Sequence, residues 1–336
     1  MPSFNIDKLK ITKSATLQGD LLSVTCRPES EQLWIGSSDF KVYGLDLAQD
    51  KPQVWTLEGH RSYVNGSAWA AKHLITGSWD RQLIWWDTDK RQPVRTVAAH
   101  ERWIRQLALS PDGKVLASVG DDMAARLWDS ESGKPIRVLR GHAARLPRYQ
   151  YPNKLYACAF SPDGKFLAAN DETAQVIIWE AGTGKEAARF EAPTFYHGND
   201  WDRNNHPYGG LRSLAFAPDG KALILAGSQN TDVAIINGHA LLQEFDWQTG
   251  KQLQEFKSKD SNSQYETLCY HPRGDWLLAG IGGGAKTGLH FFDLANKRLV
   301  KELAAPAVFG LMFVEKTSAL YTVGRAGHVA KWTSDA

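Results

Sequence analysis

An apolar or aromatic residue, usually followed by an acid, returns seven times along this 336-residue chain, and its spacing limits the fold more than any other feature. The column runs Leu45-Asp46, Trp86-Asp87, Trp128-Asp129, Trp179-Glu180, Phe245-Asp246, Phe292-Asp293 and Trp332. Successive steps are 41, 42, 51, 66, 47 and 40 residues. A period near 40 residues signals an array in which each unit buries its apolar face against the next. Two further phrases keep the same time. One is Thr16-Leu-Gln-Gly-Asp20, Thr56-Leu-Glu-Gly-His60 and Val138-Leu-Arg-Gly-His142. The other is Ser110-Pro-Asp-Gly113, Ser161-Pro-Asp-Gly164 and Ala217-Pro-Asp-Gly220, with weaker copies at His271-Pro-Arg-Gly274 and Arg27-Pro28.

Each unit reads as four strands. Leu107-Ala-Leu109 leads into a Pro-Asp-Gly turn, where Pro presets φ and Gly accepts a positive φ. Val115-Leu-Ala-Ser118 follows, then a polar turn at Asp121-Asp122, a strand ending at Trp128-Asp129, and a last strand, Ile136-Arg-Val-Leu139. No stretch carries a sustained helical period of apolar residues. The spacing therefore predicts an all-β fold, a seven-bladed β-propeller of four-stranded antiparallel blades, with 1–336 as one domain. The last unit stops at Lys331-Trp332 without a fourth strand, while residues 11–17 precede the first unit and align with fourth strands. Pairing the two would close the ring and remove its open edges.

Composition narrows function. Thirty-nine basic and 37 acidic side chains give a net charge of +2, so no global field draws nucleic acid or an anionic membrane. The N-terminus lacks the apolar core of a signal peptide, and no run of about 18 apolar residues could span a bilayer. Cys26, Cys158 and Cys269 fall in three different units, which suits packing thiols rather than a disulfide or metal framework. A cytoplasmic protein, monomeric on its own and without a cofactor, is expected.

These residues resemble the WD-repeat family over nearly the whole chain. The resemblance implies a hydrogen-bonded tetrad in each blade: a Gly-His, a Ser or Thr in the second strand, an Asp in the next turn and the Trp of the third strand. Two units match throughout, through His60, Thr76, Asp80 and Trp86, and through His100, Ser118, Asp122 and Trp128. Elsewhere Asp20, Pro193, Lys259 and Pro306 replace the His. The fourth unit keeps His142 but has Ala169 and Thr173 in the hydroxyl and acid columns. Those departing blades are expected to rely on apolar packing and ladder hydrogen bonds.

The chemistry-bearing motifs have plainer readings. A Ser/Thr–His–Asp group evokes a catalytic triad, but these groups recur by repeat position instead of converging on one cleft. Gly280-Ile-Gly-Gly-Gly-Ala-Lys-Thr287 approaches a phosphate-binding loop, yet Leu289-His-Phe-Phe-Asp293 after it is a strand where a helix is required. It is read as a turn over 282–288. His197, Asp200, Asp202 and His206 share one loop without the spacing of a known metal motif. No catalytic or metal residue is assigned.

Position and composition of the long connections point instead to protein recognition. Insertions fall at 143–152, 193–210, 228–239 and 282–288, all at connections that emerge on one side of a propeller. Arg145, Arg148, Tyr149, Tyr151, Tyr196, Trp201, Arg203 and Tyr208 lie in the first two, and the regular blades add Tyr63, Trp79, Arg81, Arg102 and Trp103 on the same side. Tyr, Trp and Arg dominate protein–protein hot spots. The expected function is a non-enzymatic scaffold for a protein or peptide, using blades 2–6. Alternatives are small-ligand binding or catalysis at the channel mouth, and single-stranded nucleic-acid binding through Arg140, Arg145, Arg148, Lys154, Tyr149 and Tyr151.

Overall fold

A computed structural model describes residues 4–49, 51–145, 152–197, 208–230, 238–261, 263–271, 273–284 and 286–334. Seven four-stranded antiparallel sheets form the blades of a propeller, each running from an inner strand at the axis to an outer strand at the rim. Blade 1 covers residues 21–57, blade 2 covers 64–98, blade 3 covers 104–139, blade 4 covers 155–191, blade 5 covers 211–261 and blade 6 covers 263–304. Blade 7 takes three strands from 308–333, and Lys10–Thr16 pairs antiparallel with His328–Thr333 as its outer strand. The expected closure is present. Inner strands of successive blades touch around the ring, and that of blade 7 lies against that of blade 1.

Burial follows from this stacking. Second strands such as Val115–Gly120 are covered on both sides by neighbouring blades, and after Val115 every residue is buried. Outer strands such as Gln92–Ala98 mostly face solvent, and their polar and charged residues discourage edge pairing. The core is divided into apolar clusters, one at each junction between blades. Cys158 is fully enclosed there, and burial pushes its thiol up to about 12. It packs as a small apolar group at neutral pH. The Ser-Pro-Asp-Gly turns behave as read: Gly113 has φ +74°. Ser110 Oγ donates to Asp112 Oδ1 (2.7 Å) and accepts from Val115 N (2.9 Å).

Four expectations need correction. The fourth blade does have an acid for its histidine: His142 Nδ1 donates to Asp171 Oδ2 at 2.9 Å. Thr173 occupies the acid's usual column and donates its hydroxyl to Asp171 Oδ1 (2.7 Å). The seventh blade keeps half a tetrad, Trp332 Nε1 donating to Thr322 Oγ1 (3.0 Å), so packing and ladders are not its sole support. The glycine-rich stretch is strand as far as Gly284, paired back to Ser263, so its turn is shorter than 282–288. Likewise Ser228–Asn230 and Gly238–Ala240 lengthen the hairpin of blade 5.

Ala169 exposes a defect. It faces Ile177 in the ladder, as Thr76 faces Ile84 and Ser118 faces Arg126, so it occupies the hydroxyl position without a hydroxyl. His142 Nε2 is buried with no partner. Ala169→Ser should supply the missing donor and raise unfolding free energy by about 1 kcal/mol. Denaturant unfolding of the variant checks this, and an unchanged or lower midpoint contradicts it.

Candidate functional site

Connections between blades and the turns joining second to third strands share one side of the disk, here the upper face. Backbone hydrogen bonds tie the two sets together: Trp79 N donates to Tyr63 O (2.9 Å), and Asp121 N to Trp103 O (3.0 Å). The bond in blade 2 places Tyr63 beside Trp79, and Trp103 arrives from the next blade. Tyr63 and Trp79 have ring centroids 4.6 Å apart. Trp79 and Trp103 stack at 4.3 Å with planes 2° apart. Phe40, from blade 1, extends the row to Tyr63 at 6.0 Å. Trp103 is 44% exposed, Phe40 43% and Tyr63 38%, a large apolar surface for the upper rim of a polar protein.

Arg105 fixes the row from below. Its guanidinium lies 5.0 Å from the Trp79 ring centre and 5.2 Å from that of Trp103. Its Nε and Nη2 donate to Asp121 Oδ1 and Oδ2 at 2.6 and 2.9 Å, a two-point clamp that fixes the guanidinium plane. The series continues around the axis, with Tyr156 5.6 Å from Arg105 and 4.7 Å from Arg212. These residues were not among the sequence candidates. Each inner strand shifts register near its upper end, and Leu22, Asn65, Arg105, Tyr156, Arg212, Glu266 and Phe309 are the residues at the shift. All seven line one central cavity of about 440 Å³. Burial pushes the Glu266 carboxyl up, against the opposing pull of Arg212 and Arg325.

Beneath this surface the two complete tetrads lock the turns. His60 Nδ1 donates to Asp80 Oδ2 (2.8 Å), His60 Nε2 accepts from Thr76 Oγ1 (2.8 Å), and Trp86 Nε1 donates to that hydroxyl (2.8 Å). His100, Ser118, Asp122 and Trp128 repeat the chain at 2.8, 2.7 and 2.9 Å. Burial opposes the charge of Asp122, but hydrogen bonds from His100, Glu101 N and Arg126 outweigh it and hold the carboxyl well below the usual range. Asp80 is lowered in the same way by His60 and the backbone of Arg61 and Gln82. These triad-like groups are buried and separate, one in blade 2 and one in blade 3.

The other candidates are distributed as follows. Arg81 and Arg102 are exposed on the upper rim beside the aromatic row. Arg145 is exposed and bridges Pro152 through its backbone. Tyr196 is half-buried against the cluster between blades 4 and 5, next to the fully buried Phe195. Tyr196–His197 pairs with Tyr208–Gly209, which closes the base of that insertion. Arg148, Tyr149, Tyr151, Trp201 and Arg203 lie outside the described residues, as do Asp200, Asp202 and His206 of the metal reading. Among the described residues no group of His, Cys, Asp and Glu could hold a metal ion. None of their helices is long and apolar enough to cross a membrane.

The family model for the WD domain, G-beta repeat, matches residues 51–87, 91–129 and 133–180, the stretches that build blades 2 to 4. WD repeats are thus recognised in three consecutive blades of this chain. Relatives include nuclear distribution protein PAC1 of Arthroderma otae, 29% identical over 58% of this chain and 44% of that protein. Protein groucho of Drosophila melanogaster is 26% identical over 65% of this chain and 26% of its own length. The chain therefore spans less than half the length of these relatives.

Proposed function

We propose that this WD-repeat protein is a non-enzymatic cytoplasmic scaffold whose upper face, across blades 2–6, holds another protein or peptide. The observation that carries the reading is the stacked row Tyr63–Trp79–Trp103, exposed at its outer ring yet clamped by Arg105 and Asp121. Rings already held in their bound geometry lose little entropy on association, and aromatic anchors beside Arg are the usual source of interface energy.

Affinity capture compares the wild-type chain with Trp103→Ala and Trp201→Ala, their folding checked by circular dichroism. Trp103→Ala should lose bound partner, by about tenfold or more, as expected for a hot spot of roughly 2 kcal/mol. Trp201→Ala asks the same of the 193–210 connection. Retention of every partner by both variants would refute the placement.

A further inference from the structure

We propose that the segment captured beside the Tyr63–Trp79–Trp103 stack is an acidic peptide carrying apolar side chains, its carboxylates met by Arg61, Arg81 and Arg102. The inference rests on the docking reading above and adds the chemistry of the partner.

The argument is one of charge that is used and charge that is left. On the upper rim of blades 2 and 3 the carboxylates are largely spent. Asp80 and Asp122 turn inward to His60 and His100, their side chains only 7% and 3% exposed. Asp121 gives both oxygens to Arg105, and Glu58 pairs with Lys41 at 3.2 Å. Arg61, Arg81 and Arg102 are exposed, and no ion pair engages any of them among the described residues. Glu101 is the one carboxylate among these that is both exposed and without a cation at ion-pair distance. What faces outward is therefore a positive rim around an apolar stack.

Backbone geometry keeps the three guanidinium stems together. Arg61 N donates to Asp80 Oδ2 (2.9 Å), immediately beside Arg81. The Arg81 carbonyl accepts from Ala99 N and His100 N, at the start of the connection that carries Arg102 and Trp103. Arg81 itself has φ +74°, a left-handed conformation that suits glycine better than any residue with a Cβ. The same left-handed position recurs at Phe40, Met123 and Ala174 in the matching turns, so it belongs to the repeat, and a glycine is accepted at Arg81 without strain.

A peptide fits better than a single-stranded nucleic acid. Centroid separations of 4.6 and 4.3 Å mean the rings already pack on one another, Trp79 and Trp103 face to face and Tyr63 tilted against Trp79, leaving no gap for a base between them. Ring edges and the two ends of the row, Phe40 and Trp103, remain for aliphatic or aromatic side chains. Single exposed ion pairs contribute little, but several around a rigid anchor set partner choice and speed encounter.

The test is fluorescence anisotropy of the full chain with three probes: a labelled peptide alternating Asp and Glu with Leu and Phe, its counterpart with Lys for every acid, and oligothymidylate. The acidic peptide should bind at least about tenfold more tightly than the Lys counterpart, and Arg81→Gly combined with Arg102→Glu should weaken it by about tenfold. Arg81→Gly relieves the left-handed turn, so loss of fold does not confound the result. Equal binding of both peptides, or acidic binding unchanged by the double variant, overturns the charge assignment. If Trp103→Ala still weakens both peptides in that case, the docking face stands and only the partner's charge is wrong. Binding of neither peptide, or of oligothymidylate in their place, overturns the inference and counts against the docking face as well.

Discussion

Deleting residues 1–18 should destabilise the protein by roughly 5 kcal/mol or more and make it aggregate. The segment does more than supply an outer strand. Lys10–Thr16 pairs with His328–Thr333, and Leu17 N donates to Gly327 O at 2.8 Å. Upstream, Leu9 is buried in the cluster between blades 6 and 7, with Phe4 and Ile6 packed against it. Phe4 stacks on Trp276 at 5.4 Å, and Lys301 Nζ donates to the carbonyls of Ile6 and Asp7. The segment therefore joins blade 7 to blade 6 as well as to itself. Without it, His328–Thr333 becomes an unpaired edge, open to pairing with another chain. Thermal melting and size-exclusion chromatography check this. A truncated chain that remains monomeric with unchanged melting would contradict the closure argument.

His100→Ala should cost about 2–4 kcal/mol of stability and flatten the acid limb of the stability profile. The ring donates to Asp122 and accepts from Ser118, whose oxygen also receives Trp128 Nε1. Removing it leaves a buried carboxylate and a buried hydroxyl short of a partner. Asp122 titrates below the ordinary carboxylate range in the folded protein. A carboxyl depressed by folding stabilises the native state above its unfolded pKa, near 4, and that stabilisation is lost as pH falls toward the folded value. Wild type should therefore weaken steadily below about pH 5. The variant, with His100's share of that depression gone, should be less stable at neutral pH and lose less on acidification. Denaturant midpoints at neutral and acid pH give both quantities, and parallel acid limbs would contradict the role assigned to the His–Asp bond.

Much of this architecture is written in repeated columns. The Trp128 column and the Pro-Asp-Gly turns recur because every blade solves the same packing problem, so seven blades and the strand closing the ring can be read before any coordinates. The Asp171 substitution is hidden because the reading fixed the acid's distance from the hydroxyl column. Strand alternation places residues 169 and 171 on one face, so an acid two positions beyond Ala169 can reach His142 from the strand end as another reaches His100 from the turn. Thr322 was overlooked because Pro306 replaces its histidine, although the Trp332–hydroxyl half of the tetrad needs no His.

The upper face was legible only in part. Tyr63, Trp79 and Trp103 follow from their columns, but their stacking depends on the angle between blades. Arg105, Tyr156 and Arg212 sit where the inner strands break their alternation, so a period-two reading assigns them to no consistent face. Aligning those second inner-strand residues across units would have revealed the channel lining, from Leu22 to Phe309.

The most direct measurement is hydrogen–deuterium exchange of the full chain alone and with a captured partner. The account predicts slowed exchange on the upper face, at 61–63, 79–81 and 101–103, with the Pro-Asp-Gly turns at 110–113, 161–164 and 217–220 unaffected. Protection confined to those opposite turns, or to the outer strands at the rim, would contradict it.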